Sequence, residues 1–213
     1  VDNILKNLEF VSKQFNIKKK NLKLMNQTHS NKVIFVDSSN KNKEKFNSDA
    51  LVTKEKNLVL GVLTADCVPI ILYDIKNKII GVIHAGWKGS LSGIIANTIK
   101  VFSKINSDNN IHACVGPCIG KKSYEVEKEF LGKFIEESKN NVYFFDKINK
   151  TKFNFNLRGY IHKKLNESGV KIVDNIDFDT FEDKDNFFSY RRSTLLGEKD
   201  YGRCISAISL GSV

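Results

Sequence analysis

Arginine is scarce in this chain. Of 34 Lys and Arg residues, only Arg158, Arg191, Arg192 and Arg203 are arginines. The formal charge of +10 would suit a nucleic-acid binder, but base and phosphate readers favour the bidentate Arg fork. The lysines are scattered among asparagines, and the one run of three, Lys18-Lys19-Lys20, reads as a solvated turn. A nucleic-acid partner is set aside, and the excess charge is left to attract an anionic small molecule. Long apolar runs are missing too. No stretch is long enough to span a bilayer. The opening Val1-Asp2-Asn3-Ile4-Leu5-Lys6 lacks the basic-then-apolar pattern of a signal peptide. No membrane partner is expected, and a cytoplasmic, soluble protein is. Cysteine is limited to Cys67, Cys114, Cys118 and Cys204, with no two at CxxC spacing. Without a sign of secretion they read as thiols rather than two disulfides. Cys114 and Cys204 lie among apolar residues and read as small core side chains.

What is present describes an ordinary globular chain. Charged residues make up 27% and apolar ones 41% of 213, enough to bury a substantial core in one domain spanning 1–213. Ile4, Leu5, Leu8, Val11 and Phe15 recur at helical spacing. Strands are expected at 22–26, 33–36 and 50–53. Nearly continuous Val/Ile/Leu runs at 58–64, 69–74 and 79–84 predict fully buried strands. Gly86-Trp87-Lys88-Gly89-Ser90 turns into a helix with Ser90 as its N-cap and Ile94, Ile95, Ile99, Val101 and Phe102 inward. A strand at 111–116, helices over 125–137 and 157–168 (the latter stopped by Gly169) and a closing strand at 203–210 complete the pattern. The class is mixed α/β, packed β-sheets flanked by helices.

Three segments each contribute one soft-metal ligand beside a strand-like run: His29, Cys67 and His84. Two imidazoles and a thiolate leave a fourth tetrahedral position open on Zn²⁺, the pattern of a catalytic rather than a structural site. Each residue alone is more often a core or surface side chain than a ligand, and composition leaves the joint reading open. Asp66 is a candidate general base, or a holder of a His ring in its metal-binding tautomer, or simply a strand-end Asx turn. Lys88 and the amides of Gly89 and Ser90 would suit a phosphate at a helix start; a packing turn explains them equally. Gln27 and Ser30 flank His29 and are expected at the substrate. Arg191-Arg192 follow the aromatic run Phe187-Phe188-Ser189-Tyr190. They read either as an anion clamp beside base-stacking rings or as a strand with a basic end.

Seven segments, in order, resemble the signatures of the YfiH/YlmD-type proteins, long labelled "laccase-domain" or multicopper polyphenol oxidase proteins. They are Asn26-Gln27-Thr28-His29-Ser30, Asp49-Ala50-Leu51-Val52-Thr53, Thr64-Ala65-Asp66-Cys67-Val68-Pro69-Ile70, Ile83-His84-Ala85-Gly86-Trp87-Lys88-Gly89, Gly116-Pro117-Cys118-Ile119-Gly120, Phe187-Phe188-Ser189-Tyr190-Arg191-Arg192 and Gly202-Arg203. The resemblance implies an α/β fold holding one Zn²⁺ on His29, Cys67 and His84. It implies purine nucleoside phosphorylase activity on adenosine, inosine, guanosine and methylthioadenosine, with adenosine deaminase activity. Nucleoside and phosphate would then be the partners, with Lys88, Arg191, Arg192 and the Gly89-Ser90 amides holding phosphate and Asp66 moving the proton. Some relatives are described as peptidoglycan editing factors, which would make the site an amidase; a non-enzymatic metal-binding protein is a further alternative. Two departures touch the rim. Asp179-Thr180-Phe181 stands where Cys-Thr-Tyr is frequent, and Phe153-Asn154-Phe155-Asn156-Leu157 where Phe-x-x-Asp-Leu is.

Histidine arithmetic disfavours the old label. A type 1 copper takes two His and a Cys with a weak axial Met. The four histidines, His29, His84, His112 and His162, would leave two for three further coppers. Met25, the sole methionine, stands where a strand core residue is expected. Cu²⁺ remains able to substitute at an N/S site of this kind. The zinc-deaminase signature of His-x-Glu with Pro-Cys-x-x-Cys is absent.

Overall fold

The computed structural model describes residues 2–211. The chain is mixed α/β and builds three sheets. The largest has six strands: β2 (Val33–Val36), β4 (Ala50–Thr53), β6 (Val68–Asp74), β7 (Ile79–Ala85), β8 (His112–Val115) and β12 (Ile172–Asn175), in the order β12-β8-β6-β7-β4-β2. A four-stranded sheet, β13-β5-β1-β3, is formed by β1 (Leu22–Met25), β3 (Lys45–Phe46), β5 (Val59–Thr64) and β13 (Cys204–Ser209). Three short strands, β9 (Glu125–Glu127), β10 (Phe145–Lys147) and β11 (Lys152–Phe155), make the third.

The apolar runs explain the layering. All seven residues of β7 are buried, as are all four of β4, because these strands are covered on both faces. Met25, Leu60 and Val62 of the four-stranded sheet share one core with Leu51, Ile80 and Val82 of the six-stranded sheet. On the other face of the six-stranded sheet, α3 (Ile94–Ile105) buries Ile94, Ile95, Ile99 and Phe102 at helical spacing, the face its sequence predicts. Phe134, Phe155 and Tyr160 close the core under the third sheet, joining α4 (Lys128–Glu137) to α5 (Leu157–Glu167). Burying each of these rings contributes about 1.5–3 kcal/mol.

Several expectations need correction. The helix foreseen over 125–137 begins only at Lys128, because Glu125–Glu127 pairs with β11 as strand β9. The helix after Gly86 is two helices, α2 (Trp87–Leu91) and α3, broken at Gly93 with φ +92. Ser90 is not an N-cap. It lies inside α2, where its hydroxyl donates to the Gly86 carbonyl at 2.8 Å. The aromatic-basic run is not a strand either. Ser189 caps α6 (Tyr190–Leu195), accepting from the Arg192 amide at 3.1 Å. Cys114 and Cys204 are half-buried rather than core residues, whereas Met25 is buried as expected. All four cysteines are free thiols. Of the two departures from the family pattern, Asn156 caps α5 by accepting from the Gly159 amide at 2.9 Å, a task Asp performs equally well. No helix among the described residues is long and apolar enough to cross a membrane.

Candidate metal centre

One edge of the two large sheets gathers the site, since β1 and β5 end there, and β4, β6 and β13 begin there, beside the end of β7. His29 lies in the loop after β1, Cys67 immediately precedes β6, and His84 is the penultimate residue of β7. Distant positions thus converge through strand pairing: the ligand atoms of His29, Cys67 and His84 all lie within 4.8 Å of one another. His29 Nε2 and Cys67 Sγ are 3.6 Å apart. A tetrahedral Zn²⁺ with usual bond lengths puts a nitrogen and a sulfur ligand about 3.6 Å apart. The His29–Cys67 pair therefore has the spacing a shared metal ion requires, with His84 close by.

Asp49, just ahead of β4, organises this geometry and was not singled out in the sequence. Its carboxylate accepts from His84 Nδ1 at 2.8 Å, from the Ser30 hydroxyl at 2.6 Å, and from the amides of Thr28, His29 and Ser30 at 3.2, 3.0 and 2.7 Å. The first contact directs His84 Nε2 toward the metal position. The three amide contacts hold His29 in the left-handed region, at φ 59, a conformation that costs about 1–3 kcal/mol unless the surroundings impose it. Burial by itself would raise the Asp49 carboxyl; the hydrogen bonds from His84, Ser30 and Thr28 override it and hold the group well below the usual carboxylate range. The sequence signal was present: Asp49 opens one of the matching segments.

Two ligands are tuned by their surroundings. Burial and then the neighbouring His84 lower the pKa of His29, against the pull of Asp49, so its ring stays neutral with a lone pair for a metal. Burial, followed by the charge of Asp66, pushes the Cys67 thiol up to about 12. A metal must therefore displace that proton, and binding strengthens as pH rises.

Gly86 makes room for the ligands. A Cβ there would lie 2.6 Å from His29 Cδ2 and 2.9 Å from Cys67 Sγ. The Gly86 backbone itself is ordinary, with φ −75 and ψ 163. Gly86→Ala should therefore fold normally yet bind metal at least about tenfold more weakly, as displaced or badly oriented ligands do. A chelator-competition titration reads this directly; unchanged affinity would show that the two ligands can shift aside.

Two cavities open on either side of the triad, sharing His29, Cys67, Trp87 and Tyr190 in their walls. One, of about 540 Å³, is aromatic and apolar, with Trp87, Tyr124, Phe130, Leu157 and Tyr190, and Arg191 and Glu127 at its edge. The other, of about 420 Å³, is polar and basic, with Lys88, Arg203, Tyr201, Thr64 and His84. Lys88 and Arg191 thus line different cavities of the cleft. Gln27 also lines the polar lobe, and the remaining expected contacts have partners within the protein. Both ends of the Gln27 amide bond the Leu63 backbone, at 2.7 and 3.0 Å, and the Ser30 hydroxyl is taken by Asp49. The Ser90 amide donates to the Gly86 carbonyl at 2.9 Å and the residue is buried. The Cβ position of Gly89 faces the Ser30 carbonyl at 2.9 Å. Arg192 spends its guanidinium on the carbonyls of Thr180, Phe181 and Phe187.

Asp66 holds no histidine; that task is Asp49's. Its carboxylate accepts from Thr180 Oγ1 at 2.7 Å, Ser189 Oγ at 3.0 Å and the Arg191 amide at 2.7 Å. These bonds fix its φ of 80, tie α6 across the cleft and seat Arg191, whose guanidinium donates to the Glu125 carbonyl at 2.9 Å and stacks 5.5 Å from the Tyr124 ring. Thr180, retained in the departing Asp179-Thr180-Phe181 segment, is thus one anchor of Asp66. Among the described residues no second cluster of three or more His, Cys, Asp or Glu forms. His112 stacks on Tyr73, and His162 bonds Asn175.

A family model described as multi-copper polyphenol oxidoreductase laccase matches residues 1–211. The chain belongs to that family. Its relatives within the laccase family carry another name. A protein of Rickettsia prowazekii named purine nucleoside phosphorylase is 39% identical over 192 residues, 89% of this chain and 78% of the relative. One of Haemophilus influenzae, also named purine nucleoside phosphorylase, is 34% identical over 81% of this chain and 70% of its own length. The crystal structure of Bacillus licheniformis YfiH superposes with a TM-score of 0.87 at 25% identity, covering 97% of this chain and 80% of that one. YlmD from Geobacillus stearothermophilus, at 20% identity and a TM-score of 0.84 over 95% and 78%, shares the fold. The family's description invokes several coppers, but His29 and His84 share one site while His112 and His162 bond elsewhere. The donor set suits a single ion.

Proposed function

We propose that this chain is a zinc-dependent purine nucleoside phosphorylase acting on adenosine, inosine, guanosine and methylthioadenosine. The observation that carries the proposal is the division of the cleft: an aromatic lobe and a basic lobe meeting at one three-ligand metal position. The names of the relatives support the same reading. Flat purines stack on aromatic walls at about 0.5–1.5 kcal/mol per ring pair, which suits Trp87, Tyr124, Phe130 and Tyr190. Phosphate suits Lys88 and Arg203, the two cations of the opposite lobe. The nucleoside's C1′ then lies between the lobes, where a phosphate oxygen forms its bond to C1′ as the C1′–N9 bond breaks.

His29, Cys67 and His84 would hold the metal, which supplies Lewis-acid charge at the junction of the lobes. Lys88 and Arg203 bind and orient the phosphate, and the aromatic walls exclude water from the base. Asp66 acts through α6, positioning Arg191 and Tyr190 at the mouth of the base lobe. Adenosine deamination, the second activity the resemblance implies, would use the same cleft and is read as ammonia release independent of phosphate. Hydrolysis of a muropeptide amide, the other reading, would show as L-Ser or L-Ala released from a UDP-linked precursor.

Arg203 separates these possibilities. Arg203→Gln should raise the KM for phosphate by about tenfold or more, equivalent to the 1.5–3 kcal/mol of a charged hydrogen bond, while the KM for inosine stays within about threefold. Steady-state kinetics with each substrate varied in turn provides the check. A shift in the inosine KM instead would reverse the assignment of the lobes, and amide hydrolysis without nucleoside turnover would defeat the phosphorylase reading.

A further inference from the structure

We propose that the Tyr124 hydroxyl is the hydrogen-bond donor to the departing purine. The assignment rests on the phosphorylase reading and gives a chemical task to a hydroxyl whose ring that reading uses only as a wall. Tyr124 follows the short turn Lys121–Ser123 and lines the aromatic lobe beside Cys67. Its ring is gripped by Phe130 at 6.0 Å, Phe155 at 5.7 Å and the Arg191 guanidinium at 5.5 Å. Its backbone carbonyl accepts from the Phe155 amide at 2.9 Å. The ring is therefore fixed, yet its hydroxyl makes no hydrogen bond within the described residues. The only buried side-chain oxygen or nitrogen without a partner among the described residues is Ser48 Oγ, so the Tyr124 hydroxyl opens into the cavity it lines, where a ligand can reach it. Tyr124 lines the same cavity wall as the candidate ligands His29 and Cys67.

The other groups of the lobe are committed or unsuited. Both Asp66 oxygens are taken, Glu125 is paired with Lys152 at 2.6 Å, and Arg191 donates to a backbone carbonyl. Glu127 offers a carboxylate, which accepts rather than donates, and Tyr190 stands at the outer rim, 54% exposed. Trp87 also lines the lobe with an indole N–H, but of the lobe's hydroxyls and carboxyls Tyr124 is the one held as an oriented donor. Its chemistry fits the need. As the C1′–N9 bond breaks, its electron pair moves onto the purine and spreads over the ring nitrogens. A phenol O–H aimed at one of them stabilises that charge as it develops, and the sugar's deficit is met by the incoming phosphate oxygen.

The test compares two nucleosides. In 7-methylguanosine the base already carries a positive charge and leaves neutral, so a donor contributes little. Tyr124→Phe should lower kcat for inosine about 10²-fold, leave its rate on 7-methylguanosine within about threefold of wild type, and leave metal content and Tm unchanged. Equal losses on both nucleosides, or a lowered Tm, would show a structural role and overturn the assignment; so would an unchanged rate on inosine. Wild-type protein that releases no base from either nucleoside in phosphate would bring down the phosphorylase reading, and this assignment with it. Loss on inosine alone supports both.

Discussion

His84→Ala is expected to empty the metal site and lower phosphorolysis by about 10³-fold or more. The reasoning is geometric and energetic. Among the described residues three protein ligands converge, so removal of one leaves two donors, which hold a divalent ion poorly. The Lewis-acid contribution lost with the ion is worth several kcal/mol, and each 1.36 kcal/mol is a factor of ten in rate. His84 is buried with its Nδ1 tied to Asp49, so the truncation also leaves that carboxylate short of one donor. Metal analysis of the purified variant and single-turnover rates on inosine read the two effects together. Phosphorolysis retained in a variant proven free of metal would remove the ion from the mechanism.

Asp49→Ala should be the most damaging change outside the ligands themselves. One fully buried carboxylate simultaneously holds the His84 ring, the Ser30 hydroxyl and three successive amides. Loss of an outer-shell carboxylate of this kind typically costs 10–100-fold in metal affinity or activity. Here the left-handed turn at His29 loses its support as well, and breaking a buried charged network costs about 3–5 kcal/mol of stability. The pH dependence has a definite sign. Because the folded state holds this carboxyl below its ordinary value, its contribution is present above about pH 4, the unfolded carboxylate range, and is lost as pH falls through the folded value. In urea unfolding of metal-free protein, the gap between wild type and Asp49→Ala should be full at pH 7 and narrow steadily below pH 4. A gap that widens on acidification would contradict the assignment of Asp49 as a stabilising anion.

The contrast between Asp66 and Asp49 shows what was legible in the chain and what was not. The buried strands of the six-stranded sheet announce themselves through unbroken Val/Ile/Leu runs, and the metal ligands through rare residue types placed beside those runs. The partner of His84 could not be found by adjacency. Asp66 neighbours Cys67 in sequence, but strand pairing brings Asp49 alongside His84 instead, with Ala50 opposite Ile83. In the same way Lys88 lines the cleft, as its place after Gly86-Trp87 suggests, whereas Gln27, Ser30 and Arg192 spend their polar groups on backbone and Asp49. Which side of a polar residue faces the cleft depends on long-range pairing that local spacing does not encode. The helix at Tyr190 was missed for a local reason: Ser189 is an N-cap, a stronger signal than the aromatic run before it. Tyr124 and Arg203 carried no signal of their own, since a Tyr in a turn and an Arg at a strand start are ordinary until the cleft is assembled.

The most direct test of the central claim is ³¹P NMR of inosine and phosphate incubated with protein purified without added metal. Phosphorolysis predicts ribose 1-phosphate formed in step with hypoxanthine, abolished by a chelator and restored by Zn²⁺. Hypoxanthine accompanied by free ribose, or ribose 1-phosphate formed at the same rate in chelated and zinc-loaded protein, would contradict it.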